Sequence, residues 1–162
     1  MNKSLKTISF LAVFITCLPL AADAYEVVYC GRDGMSLRTG PGTSYDKIGS
    51  VHHGAYVSPT GEQVWQCGVL WARVSISGYM KTRGSSRYLT EMHPGHWQVT
   101  WWAPGDNFVA MRSSESSRSR LLAKLFTGTT LTGHAHCSSK YLHATADAWV
   151  AVRTSSGKVY LR

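Results

Sequence analysis

Histidine and cysteine side chains cluster at one point of the chain, at His134, His136 and Cys137. Alternate residues of a strand point to the same face, so the two imidazoles of such a segment converge. A zinc site needs further ligands, for which His143 and Asp147 are the candidates. A thiol beside a histidine also suits nucleophilic catalysis, but no helix N-terminus or orienting partner is visible to activate this one. We therefore interpret the cluster as a polar loop, and we expect no metal, no cofactor and no enzymatic activity.

Aromatic side chains are the second group with functional potential, because the chain has six tryptophans. An exposed aromatic ring beside Arg or Lys can contact a sugar ring, a peptide stem or a partner protein. For Trp97 and Trp102, packing between two parts of the protein is an equal alternative. The predicted ligand-binding residues are Tyr45, Trp65, Trp97, Trp102, Arg118, Arg120 and Tyr141.

An internal repeat indicates which structural elements position these residues. Six residues of the first half recur in the second half at one constant offset and without a gap. A repeat of this length is typical of one structural unit copied once, so we predict two similar small modules in series. The two sets are Leu37, Arg38, Ile48, Val51, Gly54 and Val57, and Met111, Arg112, Leu122, Leu125, Gly128 and Leu131.

The alignment of the two copies extends beyond these positions. Tyr25-x-Val27-x-Tyr29 lines up with Trp97-x-Val99-x-Trp101, and both segments alternate apolar and polar residues as a half-buried strand does. This predicts that Tyr29 and Trp101 are buried on strand faces. Trp71 lines up with Trp149, which predicts that both tryptophans lie in the cores. The closing segments Arg87-Tyr88-Leu89 and Val159-Tyr160-Leu161 are also similar.

The secondary structure indicated by the sequence after its N-terminal segment is entirely β. No stretch keeps a helical period, whereas short runs rich in Val, Trp, Tyr and Thr are separated by Gly and Pro. This pattern predicts an all-β fold of two small barrels. We place the first module at residues 25–90 and the second at 97–162, joined by a linker at 91–96 that contains His93-Pro94-Gly95.

The opening motif resembles the start of the bacterial Src homology 3 (SH3b) domain. The run from Leu37 to Tyr45 is similar to the Leu-Asn-Val-Arg-Ser-Gly-Pro pattern of that family, and Trp71-x-Arg73-Val74 is similar to its central strand. The second copy is more divergent, with Ser114-Glu115 in place of Gly40-Pro41. The resemblance implies two tandem SH3-like β-barrels. It also implies a wall-binding or peptide-binding role, because such domains are commonly accessory modules of wall hydrolases.

Most of the motif residues have a structural explanation. Pro fixes φ and Gly permits positive φ, so the Gly-Pro pair provides a turn. The two arginines are expected to donate hydrogen bonds to loop carbonyls and hold that turn, and the two glycines that follow are expected in tight turns between strands. The predicted structural residues are Arg38, Gly40, Pro41, Gly54, Trp71, Arg112, Gly128 and Trp149.

The N-terminus has the pattern of a cleaved signal peptide at residues 1–24. Lys3 and Lys6 precede a mostly apolar run at 8–20, and Ala22-Asp23-Ala24 is a small-x-small cleavage site. The apolar run is too short to span a bilayer as a helix, so we predict no membrane span. The protein is therefore expected to be exported to the periplasm or the extracellular space.

The charge of the exported chain predicts acidic partners. Cleavage would remove two lysines and one aspartate, so 17 basic and 9 acidic residues become 15 and 8, a net charge of +7. Anionic wall polymers, lipid headgroups and acidic proteins fit this charge, with improved solubility as the alternative explanation. Nucleic acid is not expected as a partner, because an exported protein rarely meets it.

Three cysteines remain after cleavage, namely Cys30, Cys67 and Cys137. An oxidising compartment favours one disulfide and leaves one thiol over. A Cys30–Cys67 bond would close a loop inside the first module, whereas Cys67–Cys137 would join the two modules. We predict Cys30–Cys67, because pairs close in sequence meet more often.

Taken together, these patterns predict a non-catalytic binding protein that recognises cell-wall peptidoglycan or its peptide stems through tandem SH3-like domains. The alternative is a protein–protein module, an inhibitor or immunity-type partner of a secreted enzyme or toxin. The expected partner is thus a cell-wall glycopeptide or an envelope protein.

Overall fold

A computed structural model describes residues 23–135 and 140–162. The predicted signal peptide up to residue 22, and the predictions for His136 and Cys137, lie outside the described residues. Within them the chain forms strands and no helix. The strands are β1 (Tyr25–Glu26), β2 (Met35–Arg38), β3 (Lys47–Val51), β4 (Tyr56–Gln66), β5 (Val69–Lys81), β6 (Leu89–His93), β7 (His96–Val99), β8 (Phe108–Arg112), β9 (Leu121–Phe126), β10 (Thr130–Ala135) and β11 (Tyr141–Thr154).

All the strands belong to one antiparallel sheet, in the order β1-β4-β5-β8-β9-β3-β2-β11-β10-β7-β6. A further pairing joins β5 to β11, so β5, β8, β9, β3, β2 and β11 form a closed cycle of neighbours. The all-β prediction is therefore confirmed. The assignment of two SH3-like barrels stays a prediction, because the strands pair across the two halves of the chain. The described part of the chain contains no helix with the length and hydropathy needed to cross a membrane.

The core contains one face of each of the two longest strands, β5 and β11, whose apolar residues alternate with polar ones. Along β5, Val74, Ile76 and Met80 are buried, and along β11 Ala146 and Val150 are buried. Side chains of successive strand residues point to opposite faces, so this spacing gives each strand one buried face. The buried residues of both halves belong to a single hydrophobic cluster.

The internal repeat of the sequence has a counterpart in the strand pairing. In the first half Leu37 pairs with Gly49, and a bulge follows before Arg38. In the second half Met111 pairs with Ala123, 74 residues later in both strands, with a bulge at the corresponding place. Gly54 and Gly128 follow these hairpins with φ of 73° and 91°, the left-handed conformation that glycine adopts readily.

A local twofold axis relates the two halves. The equivalent strands β3 and β9 pair antiparallel about Ser50 and Lys124, and β5 and β11 pair about Ile76 and Ala146. Antiparallel pairing of equivalent strands about equivalent residues is the arrangement found in a twofold-symmetric dimer. The sequence offset is 74 residues at β3 and 70 residues at β5.

The halves also exchange their closing strands. β6, the last strand of the first half, pairs with β7, the first strand of the second half, with Leu89 opposite Val99. Leu161 at the C-terminus pairs with Val27 near the start of the chain. The segment expected to be a linker, at 91–96, is the tip of the β6–β7 hairpin.

The predicted Cys30–Cys67 disulfide is not present in the structure, in which both cysteines are free. β1 pairs antiparallel with the first residues of β4, with Tyr25 opposite Val57. The chain after β1 therefore runs away from the far end of β4, whereas Cys67 lies in the turn just beyond that end. The segments that hold the two cysteines thus leave opposite ends of β4.

Candidate functional site

An aromatic pair marks the first candidate site, where the first half of the chain passes into the second. The carbonyl of Tyr88 accepts hydrogen bonds from the backbone N–H groups of Thr100 and Trp101, at 2.9 and 3.2 Å. These bonds hold the Tyr88 and Trp101 rings edge to face, with centroids 4.9 Å apart and an interplanar angle of 79°. This is a favoured geometry for an aromatic pair.

A groove with a cavity volume of about 220 Å³ opens beside this pair, and we call it the Trp101 groove. The ammonium of Lys81 lies 6.0 Å from the centre of the Tyr88 ring, within range of a cation–π contact. Asp106 is the acidic residue of the lining. The lining residues are Lys81, Tyr88, Trp101, Asp106, Phe108, Val109, Ala110, Arg112, Ser117 and Tyr141.

A second aromatic pair stands at the other junction of the halves. The carbonyl of Tyr160 accepts from the backbone N–H groups of Val28 and Tyr29, at 2.9 and 3.4 Å. The two tyrosine rings are edge to face, with centroids 6.0 Å apart. Lys158 places its ammonium 3.9 Å from the centre of the Tyr29 ring and 5.2 Å from that of Tyr160.

A groove of about 320 Å³ lies beside this second pair, and we call it the Tyr29 groove. Trp71 and Cys30 both form part of its wall. The lining residues are Tyr29, Cys30, Gly31, Gly34, Met35, Ser36, Arg38, Thr43, Trp71, Ala151, Lys158 and Tyr160.

The two grooves are equivalent under the local twofold axis. Each contains an aromatic pair, an arginine from the opening motif and an aromatic residue from one of the long strands. Each also draws residues from both halves of the chain. The equivalent pairs are Tyr88 and Tyr160, Trp101 and Tyr29, Phe108 and Gly34, Val109 and Met35, Ala110 and Ser36, Arg112 and Arg38, Ser117 and Thr43, Tyr141 and Trp71, and Lys81 and Ala151.

The lysine on each aromatic pair comes from a different position. Lys81 is on β5, and its twofold equivalent is Ala151. Lys158 lies in the turn before Tyr160, and the corresponding residue of the first half is Ser86. The two lysines therefore do not correspond in the sequence repeat. Even so, each groove has a lysine ammonium at its aromatic pair.

The arginines of the opening motif support one wall of each groove. Arg38 donates from Nη1 to the carbonyls of Thr43 and Tyr45, at 3.1 and 2.6 Å. Arg112 donates from Nη1 to the carbonyl of Ser119, at 2.7 Å, and Ser119 is the equivalent of Tyr45. These bonds shape the loop after β2 and the loop after β8, which is the structural role expected for both arginines.

The predicted ligand-binding residues are dispersed over the surface. Tyr141 lines the Trp101 groove, whereas the other six residues line neither groove. Tyr45 lies in the exposed loop after β2 with its ring against Gly40, and Arg118 and Arg120 lie exposed in the loop after β8.

Three predicted tryptophans have different surroundings. Trp65 is 53% exposed at the end of β4, where the Arg153 guanidinium lies 5.8 Å from its ring centre. Trp97 is half-buried against the core and donates from Nε1 to the Gly133 carbonyl, at 3.2 Å. Trp102 is 66% exposed, which favours the exposed alternative for this residue over a packing role.

Two predictions of burial were wrong. Tyr29 is 53% exposed, and its ring lines the groove beside Tyr160. Trp71 is buried, but Trp149 is only half-buried on β11. Trp149 pairs with Arg38, as Tyr79 pairs with Arg112, so Tyr79 and not Trp71 is its structural equivalent.

Lys81, Tyr88, Lys158 and Tyr160 are groove residues that the sequence reasoning missed. The two tyrosines had a visible signal, since they occupy matching places in the two closing segments. The lysines had none, because they do not align with each other. Only the twofold packing shows that they reach the same place.

The described residues contain no group of three or more His, Cys, Asp or Glu side chains arranged to hold a metal ion. Within the cluster singled out in the sequence, His134 lies opposite His143 across β10 and β11. The rings of His93 and His96 lie against each other at the β6–β7 hairpin tip, with centroids 4.0 Å apart and an interplanar angle of 41°.

No protein-family model, curated protein or solved structure matches the chain. The chemistry of the grooves therefore rests on their own composition. Aromatic faces stack on sugar rings and apolar groups, whereas lysine ammonium groups attract carboxylates or phosphates. Each groove combines both features.

Proposed function

We propose that the protein is an exported, non-catalytic binding protein that recognises cell-wall glycopeptide through the Trp101 and Tyr29 grooves. A wall glycopeptide has sugar rings, which suit aromatic faces, and peptide stems with carboxylates, which suit lysine ammonium groups. The net charge of +8 for the whole chain favours such an acidic ligand. The predicted signal peptide and the resemblance to SH3b domains support the same function.

The observation that carries this proposal is that a lysine lies on the aromatic pair of each groove. The two lysines, Lys81 and Lys158, come from nonequivalent positions of the two halves. Packing does not require either lysine, because each tyrosine is already anchored by its backbone and its partner ring. An exposed cation–π contact contributes only about 0.5–1 kcal/mol to folding. Recognition of an acidic ligand explains why each groove has this charge.

Co-sedimentation with purified peptidoglycan sacculi tests the proposal. We expect the protein to pellet with sacculi at low salt and to be released at high salt, because screening weakens interactions between exposed charges. The double variant Lys81→Gln/Lys158→Gln should bind about tenfold more weakly or worse, since each charge-assisted hydrogen bond contributes about 1.5–3 kcal/mol.

The matched control is Lys47→Gln/Lys140→Gln, which removes the same charge outside both grooves. Lys47 also lies on an aromatic ring, with its ammonium 5.5 Å from the centre of Phe126. Equal loss of binding in both double variants would show that net charge alone acts and would overturn the groove assignment. Recovery of the unaltered protein in the supernatant at low salt would refute wall binding, and a stoichiometric protein captured from envelope extract would then favour the inhibitor alternative.

A further inference from the structure

The two grooves are separate and complete binding sites within one chain. Each has its own aromatic pair, lysine and motif arginine, and neither shares a lining residue with the other. Both depend on the association of the two halves, because each tyrosine binds the backbone of the opposite half. A correctly folded molecule therefore has both sites.

The twofold axis relates the two sites to each other. Ser50 pairs with Lys124 and Ile76 with Ala146 in antiparallel strands, so the axis relates equivalent residues at two independent places. A ligand bound in one groove is therefore related by the same rotation to a ligand bound in the same way in the other groove. The lining residues of the two grooves lie at different junctions of the halves, so each groove can hold its own ligand strand.

We propose that one molecule binds two separate wall glycopeptide strands, one in each groove, and thereby bridges them. This inference rests on the proposed function and extends it from binding to cross-bridging. The occupant of both grooves is the same acidic, sugar-containing polymer, because both have the same pairing of aromatic faces with a lysine. Two linked sites also give avidity on a wall in which many strands lie side by side.

A recruitment experiment tests the bridge. Sacculi are mixed with fluorescent soluble glycan–peptide strands, released by a muramidase, and the label in the pellet is measured against protein concentration. We expect the label in the pellet to rise and then fall as the protein concentration increases. At excess protein, the sacculi and the soluble strands are each occupied by different protein molecules and are no longer bridged. Each single-groove variant, Lys81→Glu or Lys158→Glu, should still pellet with sacculi but should recruit at least about tenfold less label.

Charge reversal at these lysines leaves the aromatic packing in place, so the variants should fold. Lys47→Glu and Lys140→Glu are the controls and should recruit as the unaltered protein does. Full recruitment by both single-groove variants would overturn the bridge. Failure of the unaltered protein to pellet at all would instead refute the proposed function and the bridge with it.

Calorimetry with a monomeric soluble muropeptide gives an independent measurement. We expect two sites per chain for the unaltered protein and one site for each single-groove variant. One site in the unaltered protein would overturn the bridge while leaving wall binding intact. The Trp101 groove should bind more tightly, because Trp101 and Phe108 give it more aromatic surface than Tyr29 and Gly34 give the other.

Discussion

The paired arginines show how one side chain can stabilise a whole loop. Arg38→Ala removes two hydrogen bonds from a charged donor, to the carbonyls of Thr43 and Tyr45. We expect the free energy of unfolding to fall by about 1–3 kcal/mol, with solvent competition limiting the loss. Arg112→Ala removes the single bond to Ser119 and should cost less, about 1 kcal/mol.

Urea denaturation of the two variants measures this difference. Arg32→Ala, in an exposed loop, is the control and should leave the midpoint unchanged. An Arg38→Ala midpoint equal to that of the unaltered protein would show that the loop holds its shape without the guanidinium.

His52 is the residue at which acid should weaken the fold. Its Nε2 is buried and has no hydrogen-bond partner among the described residues. Burial lowers the pKa of His52, the positive charge of Lys124 lowers it further, and Asp33 opposes the shift. The unfolded chain therefore takes up this proton at a higher pH than the folded protein does.

The sign of the pH dependence follows from that difference. As the pH falls through the ordinary histidine value, the unfolded state gains protons first and stability decreases, until the pH passes below the pKa of the folded state. His52→Phe introduces the residue found at the equivalent position 126 and should remove this part of the loss. Urea denaturation between pH 7.5 and about pH 5 measures it, with His53→Gln, an exposed neighbour, retaining the original slope.

At the scale of the elements, Gly78 sets how closely β5 approaches β8. A Cβ atom at this position would lie 2.7 Å from Met111 Cγ and 2.8 Å from the Arg112 carbonyl oxygen. Gly78→Ala should therefore force the two strands apart and destabilise the fold by about 1–3 kcal/mol. Gly31→Ala is the control, since a Cβ there meets nothing within 4 Å. Equal unfolding midpoints for the two variants would contradict this account of the strand junction.

The strands and the repeat were predictable from sequence, but the alignment of the long strands was not. The sequence aligns Trp149 with Trp71, whereas the structure aligns Trp149 with Tyr79. The two alignments of β5 with β11 thus differ by eight residues. Side chains alternate with a period of two, so a shift by an even number keeps every residue on the same face. Hydrophobic alternation therefore cannot distinguish the two alignments, and only the pairing with β2 and β8 does.

The grooves were hidden from sequence analysis for a related reason. Each is assembled from both halves, so Tyr88 joins Trp101 in one groove and Tyr160 joins Tyr29 in the other. Reasoning about two independent modules assigns each aromatic residue to its own module. The exchange of closing strands at Leu89 and Leu161 brings the correct partners together.

At the scale of the whole molecule, the two halves carry buried side chains of different size where β5 and β11 pair near the twofold axis. On β5 the buried residues include Val74 and Ile76, whereas the residues opposite them on β11 are Ala148 and Ala146. At these two positions a larger side chain thus faces a small one, which fills the space without overlap. Two copies of the first half would place Ile76 opposite Ile76, and two copies of the second half would leave Ala146 opposite Ala146.

This complementarity predicts how separated halves should behave. A fragment of residues 25–95 exposes the edges of β3 and β5 that β9 and β11 normally cover, so it should not be a stable monomer. A second copy can supply equivalent strands, but Ile76 would then face Ile76, and overpacking costs about 1–3 kcal/mol. Mixed with a fragment of residues 96–162, it should instead form a 1:1 complex in preference to either homodimer. Native mass spectrometry of the refolded mixture measures this preference, and a folded monomer of either fragment with a cooperative urea transition would show that the halves are independent domains after all.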